Sequence, residues 1–136
     1  MKKISFFKMS GAGNDFVVFD FISGEKLQFT RDSIKKICSR RTGIGADGII
    51  TFTESNGRDF GMNYYNADGS TGSLCGNGAR CAIWYAELTG KIKNHKADFL
   101  SNDLRYSGEV LDEEMVRVDL NDPKKLRLNF EIKADR

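Results

Sequence analysis

The chain has 136 residues, 40% of them hydrophobic and 29% charged, and its 21 basic side chains offset 19 acidic ones to leave a net charge of +2. That length suits one domain with a real core, and the composition excludes a disordered or membrane-embedded chain. The near-neutral balance gives no electrostatic footprint for DNA, RNA or an anionic membrane.

At the N-terminus, MKKISFFKMSGAG sets two lysines before an apolar run that Lys8 interrupts, so it does not read as a signal peptide. No stretch approaches the ~18 continuous apolar residues of a membrane helix. Cys38, Cys75 and Cys81 are an odd set without a secretory signal, which points to reduced thiols and a cytoplasmic location.

In chain order, Ile4 to Met9 and Phe16 to Ile22 read as two strands joined by the turn GAGND. Thr30 caps a short helix over Asp32 to Arg41, with Ile34 and Ile37 on one face. RTGIGADG ends it. Ile49 to Phe52 and Phe60 to Tyr65, separated by ESNGRD, are strands rich in β-branched and aromatic residues.

NADGSTGSLCGNG then leads into a helix over Gly78 to Thr89, closed by Gly90. Only Arg80, Glu87 and Thr89 are strongly polar in it, so it is apolar nearly all round and must be wrapped by protein. Further strands are expected at Phe99 to Leu100, Arg105 to Leu111, Met115 to Leu120 and Leu126 to Ile132. The sum is an α+β fold of about eight strands curled around one central helix, in a single domain spanning 1–136.

GIGADG, Gly43 to Gly48, matches the dinucleotide pattern G-x-G-x-x-G, but that pattern works only between a strand and the helix that follows it. Here a helix comes first and a strand second, so the glycines read as a structural turn. His95 is the only histidine, and Cys75 and Cys81 lack a second pair of ligands, so no metal is expected. His95 itself reads as an exposed loop residue, and a cysteine–histidine pair would exist only if it reached Cys75.

Cys75 stands before the first turn of the buried helix, flanked by Gly76, Asn77 and Gly78. Its bland reading is a small buried hydrophobe. Its functional reading is a thiol biased toward thiolate by a helix N-terminus, next to first-turn amides from Gly76 to Ala79 that can bind a carboxylate. A base beside such a nest suits removal of an α-proton from an amino acid or hydroxy acid. Cys38 and Cys81 read as structural. Asn14 in GAGNDF and Asn66 in NADGS, both in glycine-containing loops, serve equally as turn formers or as amides that bind amino and carboxylate groups.

The run NADGSTGSLCGNGAR, Asn66 to Arg80, resembles the signature of the diaminopimelate epimerases: Asn-x-Asp-Gly-Ser, four residues, then Cys-Gly-Asn-Gly-x-Arg. FFKMSGAGNDFVVFD, Phe6 to Asp20, and RRTGIGADG, Arg40 to Gly48, resemble two further segments of that family in the same order. The resemblance implies a fold of two similar domains, each a mixed sheet rolled into a barrel-like shape around a central helix, with the site in the cleft between them.

It also implies an enzyme that needs no cofactor and interconverts the L,L and meso forms of 2,6-diaminoheptanedioate, a step in lysine and peptidoglycan precursor synthesis. Two cysteines there face each other across the α-carbon, and Cys75 matches one of them. Gly76 and Asn77 match backbone contacts to the substrate carboxylate, and Asn14 and Asn66 match substrate-binding side chains. At Gly48 some members carry a substrate-touching glutamine, so that contact does not carry over.

Family members are about twice this long by two-domain arithmetic, and the second cysteine lies in their second domain. The chain therefore reads as the N-terminal half, inactive alone, its partner being the C-terminal domain that supplies the opposing thiol. Cys81, six residues on and in the same buried helix, cannot face Cys75 across a substrate carbon. A face left for another domain would be apolar and favour self-association, a homodimer being one outcome. A proline or hydroxyproline racemase half and a non-catalytic binding domain of the same fold are the alternatives.

Overall fold

The computed structural model describes residues 3–113 and 115–123. Among these residues the order is β1 (Phe7–Gly11), β2 (Asn14–Asp20), α1 (Arg31–Cys38), β3 (Gly48–Thr53), β4 (Phe60–Asn66), α2 (Gly76–Leu88), β5 (Lys96–Ser101), β6 (Leu104–Asp112) and β7 (Met115–Asp119). The expected strand at Leu126 to Ile132 lies outside the described residues.

The seven strands form one mixed sheet in sequence order. β2 pairs with β3, and β4 with β5, in parallel; the other neighbours are antiparallel. A parallel pair needs a crossover, and these two junctions are where the helices sit, α1 between β2 and β3 and α2 between β4 and β5. β2 and β3 are continuous apolar runs because both of their faces are covered. Phe16, Val18, Ile50 and Phe52 turn to α2, against Ala79, Ala82, Ile83, Tyr85 and Ala86. Val17, Phe19 and Ile49 turn the other way, to Ile34 and Cys38 of α1.

The sheet curls because β1 and β2 at one end and β6 and β7 at the other all contact α2. This is the mixed sheet rolled around a central helix that the sequence implies. The wrapping is less complete than expected toward the end of α2, where Leu88 is exposed and Trp84 half-buried. Among the described residues no helix is long and apolar enough to cross a membrane.

Boundaries differ from expectation where loops donate to helix ends. α1 stops at Cys38 rather than Arg41, because Gly43, Gly45 and Ala46 turn their N–H groups back onto the carbonyls of Ser39, Ile37 and Cys38. A Cβ on Gly43 would lie 1.9 Å from the Lys36 carbonyl oxygen, so the glycine is required by close approach. Its N-terminus is as read: Thr30 caps it, in a reciprocal pair of hydrogen bonds with Ser33. β1 and β2 meet through a two-residue turn, Ala12 and Gly13, both at positive φ, which suits the twist of a hairpin. That turn moves β1 to end at Gly11 and β2 to begin at Asn14.

A buried polar anchor ties α2 to the sheet. Tyr85 donates to Asp20 Oδ2 at 3.1 Å, and Lys91 Nζ lies 2.6 Å from the same oxygen. Burial pushes the Asp20 carboxyl up, but hydrogen bonds from Lys91 and from the Ser23 and Ile22 N–H groups outweigh it and hold it below its ordinary 3.8. Because the folded value is the lower one, the stabilisation is complete above the unfolded value and is lost as pH falls through the folded one. Urea unfolding below about pH 4 should therefore show wild type losing stability more steeply with acid than Asp20→Asn; parallel pH profiles would remove the ion pair from the account.

At the other wall, Gly108 of β6 presses on α2. A Cβ there would lie 2.3 Å from Ile83 Cδ1 and 2.6 Å from the Arg117 carbonyl oxygen. Gly108→Ala should lower the unfolding free energy by about 1–3 kcal/mol through overpacking, measured as a shifted denaturation midpoint at constant slope.

Candidate active site

α2 begins two residues earlier than its sequence pattern suggests, at Gly76, because Cys75 itself is the cap. Its backbone is extended, with φ −83° and ψ 118°, and its sulfur accepts the Gly78 N–H at 3.4 Å. Ser, Thr, Asp and Asn usually take this position by accepting through oxygen, so here a thiol has the role of a hydroxyl. The Ala79 N–H goes to the Cys75 carbonyl at 2.8 Å. The open nest is thus narrower than the sequence suggests. Of the amides from Gly76 to Ala79, those of Gly76 and Asn77 remain as first-turn N–H groups without a place in the helix ladder.

The other residues arrive at this helix end by register. Gly48, which opens β3, pairs with Asn66, which closes β4, and with Phe16 of β2. Asn14, Asp47 and Asn66 consequently share one end of the sheet. The structure joins Asn14 to Asn77: Asn77 Nδ2 donates to Asn14 Oδ1 at 2.7 Å. Asn14 Nδ2 in turn donates to Asp47 Oδ2 at 3.1 Å, and Arg80 donates to Asn77 Oδ1. Asn66 stands apart from this chain of bonds. Its amide goes to Ser70 Oγ at 3.1 Å, within its own loop, and the loop is tied back by the Ala67 N–H on the Asp47 carbonyl.

Asp47 and Arg80 were not among the site residues read from the sequence. Asp47 lies in a glycine-rich segment whose glycines are spent on the end of α1, which hid its carboxylate. Arg80 is three residues beyond Asn77 on the same helix, and that spacing is the signal for their contact. Asp47 is itself held. It accepts the Asp15 N–H at 3.0 Å, its own N–H goes to the Asp15 carbonyl at 2.9 Å, and Arg40 bonds both carboxylates. Arg40 and then Lys8 hold the Asp15 carboxyl well below the usual carboxylate range.

Gly48 also has a steric cause. A Cβ there would lie 2.7 Å from both Tyr64 Cε2 and the Tyr65 carbonyl oxygen and 2.8 Å from the Tyr64 hydroxyl, so no side chain fits at the position without the backbone moving. Tyr64 packs edge-on to Phe16, with ring centroids 6.0 Å apart. Burial first, and then the neighbouring Cys75, push its phenol up to about 12, so it stays protonated beside the sulfur. His95 does not reach Cys75: its Nδ1 lies 2.6 Å from Glu87 Oε1, twelve residues further along α2.

A curled mixed sheet around a central helix is an architecture also seen in solved structures. Methylitaconate-delta-isomerase superposes with a TM-score of 0.63 at 11% identity, over 85% of this chain and 62% of that one. A PhzF-family phenazine biosynthesis protein of Bacillus anthracis gives 0.62 at 17% identity, over 85% and 39%. Those identities speak for the fold alone. The sequence is more specific: the family described as diaminopimelate epimerase matches residues 6–126, and the chain belongs to that family.

The diaminopimelate epimerase of Chlorobaculum tepidum is 47% identical over 120 residues, 88% of this chain and 46% of the relative. That of Carboxydothermus hydrogenoformans is 43% identical over 124 residues, 88% and 44%. The chain thus spans about half the length of these relatives.

The three thiols differ in access. Cys81 points to β1, where a Cβ on Gly11 would lie 2.8 Å from its sulfur, and burial pushes it up to about 11. Burial also pushes the Cys38 thiol up. Cys75 alone is half-buried. Iodoacetamide at pH 7.5 should therefore give one adduct, at Cys75, by peptide mass spectrometry, with Cys38 and Cys81 labelled only after unfolding. Equal labelling of Cys81 in the folded chain would contradict this packing.

Proposed function

We propose that this chain is the N-terminal half of a cofactor-independent diaminopimelate epimerase, and that Cys75 is one of its two acid–base thiols. The observation that carries the reading is the position of Cys75, capping a buried helix beside the Gly76 and Asn77 amides. With an α-carbon above the sulfur and its carboxylate on those amides, the thiolate takes the α-proton, and the C–H electron pair passes into the carboxylate. The amides stabilise charge arriving there. A proton returned from the opposite face inverts the centre and interconverts the L,L and meso forms.

The opposing thiol belongs to the half that the relatives carry beyond the matched region. Cys81, buried against Gly11, is not a substitute for it. Asn14 and Asn66 take the substrate's other polar groups, and this chain alone has no useful activity. Protonated Tyr64 beside Cys75 is consistent with a site that must keep a proton donor near the thiol.

The test joins this chain to the C-terminal half of the Chlorobaculum tepidum enzyme and follows L,L-diaminopimelate in deuterated water by NMR. Solvent deuterium should enter the α-carbon, and Cys75→Ala should slow its entry by about 10³-fold, the range for removing a general base. No deuterium in the joined protein, or entry undiminished in Cys75→Ala, would refute the proposal.

A further inference from the structure

The chain of bonds through Asn14 and Asn77 carries more than their proximity. An asparagine amide can turn by 180°, exchanging its donor and acceptor edges, so two amides in contact have two self-consistent directions. Either Asn77 donates to Asn14, or the reverse. Left alone, such a pair has no preference. Here each end of the pair meets a group that permits only one direction. A carboxylate accepts and cannot donate, and a guanidinium donates and cannot accept.

Asp47 therefore demands that Asn14 present Nδ2 to it, which leaves Asn14 Oδ1 for Asn77. Arg80 demands that Asn77 present Oδ1 to it, which leaves Asn77 Nδ2 for Asn14. The two demands agree. All three bonds run head to tail, from cation to anion: Arg80, Asn77, Asn14, Asp47. Aligned bonds of this kind polarise and strengthen one another. The spare N–H and lone pair of each amide then sit at fixed places beside the Cys75 helix end.

We propose that Asp47 is a positioning residue of this site, setting through Asn14 the orientation of the Asn77 amide, with Arg80 fixing the same direction from the other end. Asp47 is suited to the part because it is braced independently, by Arg40 at 3.1 Å and by a reciprocal pair in which the backbone N–H of Asp15 and of Asp47 each donates to the other's carboxylate. Asn77 is the second residue of α2, so the orientation of its side chain bears on the turn that carries the two open amides. The proposal rests on the reading of this site as the substrate site, but its direct readout does not.

That readout is the side-chain amide spectrum of this chain in nitrogen-15 NMR. Asp47→Asn keeps size and removes the obligate acceptor. Since residue 47 touches Asn14 and not Asn77, a relay requires the amide signals of both to move. Arg80→Met should do the same from the far end, moving Asn14 as well as Asn77, and it keeps the test intact if Asp47→Asn does not fold. In the enzyme completed with the Chlorobaculum tepidum C-terminal half, Asp47→Asn should raise KM about ten-fold, the scale of one charge-assisted hydrogen bond, with kcat changed less than about three-fold.

If each variant moves only the amide it touches, or if KM for Asp47→Asn stays at the wild-type value, the positioning role is overturned. Loss of solvent exchange in the wild-type joined enzyme would instead sink the epimerase reading, and leaves the amide test to be decided by the spectra.

Discussion

A helix buried inside a curled sheet must satisfy its first amides from a short inventory, and in α2 the sulfur of Cys75 takes one of them. The cap bond of 3.4 Å from the Gly78 N–H fixes the thiol in the plane of the first turn. The backbone of Cys75 takes a second amide through its carbonyl. What is left, the N–H groups of Gly76 and Asn77, is adjacent to the sulfur by construction. One interaction thus decides where the thiol points, how many amides stay open and how close the two are. The burial of Ala79, Ala82, Ile83 and Ala86 holds the rest of the helix against the sheet, so the capped end cannot drift relative to the strands around it.

The sheet supplies the other side of the site through its two parallel junctions. Because β2 and β3 run the same way, both of their starting ends lie at one edge, and antiparallel β4 finishes there. Asn14 and Asp47 stand at two strand starts and Asn66 at a strand end, so residues distant in the chain converge without any loop having to reach far. α2 must start from that edge as well, since it leaves β4 there and returns to a parallel β5. The tip of the β1–β2 hairpin, with Ala12 and Gly13 at positive φ, closes the edge over Gly11, which contacts the Asn77 carbonyl region and Cys81.

Much of this was legible in the sequence, for physical reasons that can be named. α2 announced itself as a wrapped helix through its lack of a polar face, and β2 and β3 through runs such as FVVF and GIITF that only two-sided burial tolerates. GIGADG was correctly read as a turn from the order of its neighbours, since α1 precedes it and β3 follows. Helix ends were read less well, because they are set by bonds from loops. Nothing local to SRRTG says that Gly43, Gly45 and Ala46 will return to the last carbonyls of α1 and shorten it. At α2 the sequence places Cys75 just before the first turn but does not show its sulfur and carbonyl taking the Gly78 and Ala79 N–H groups, since cysteine is not a usual capping residue, so the nest is two amides narrower than the sequence suggests. Asp47's link to the site was invisible because it runs through Asn14, more than thirty residues away, while the nearer Arg40 is shared with Asp15.

Gly48 shows how an apparent deficiency resolves once volume is considered. In the sequence, Gly48 is the one place where the resemblance implies a glutamine contact that does not carry over. In the fold, the space a side chain would need is filled by Tyr64, whose ring and hydroxyl both come within 3 Å of where a Cβ would stand. The Tyr65 carbonyl oxygen stands equally close, at 2.7 Å, and strand pairing brings both there, since Asn66 and Tyr64 lie opposite Gly48 and Ile50. A phenol held neutral there keeps a hydrogen for the sulfur, whereas an amide at residue 48 would bring both a donor and an acceptor. The glycine therefore follows from the Tyr64 ring and the Tyr65 carbonyl together.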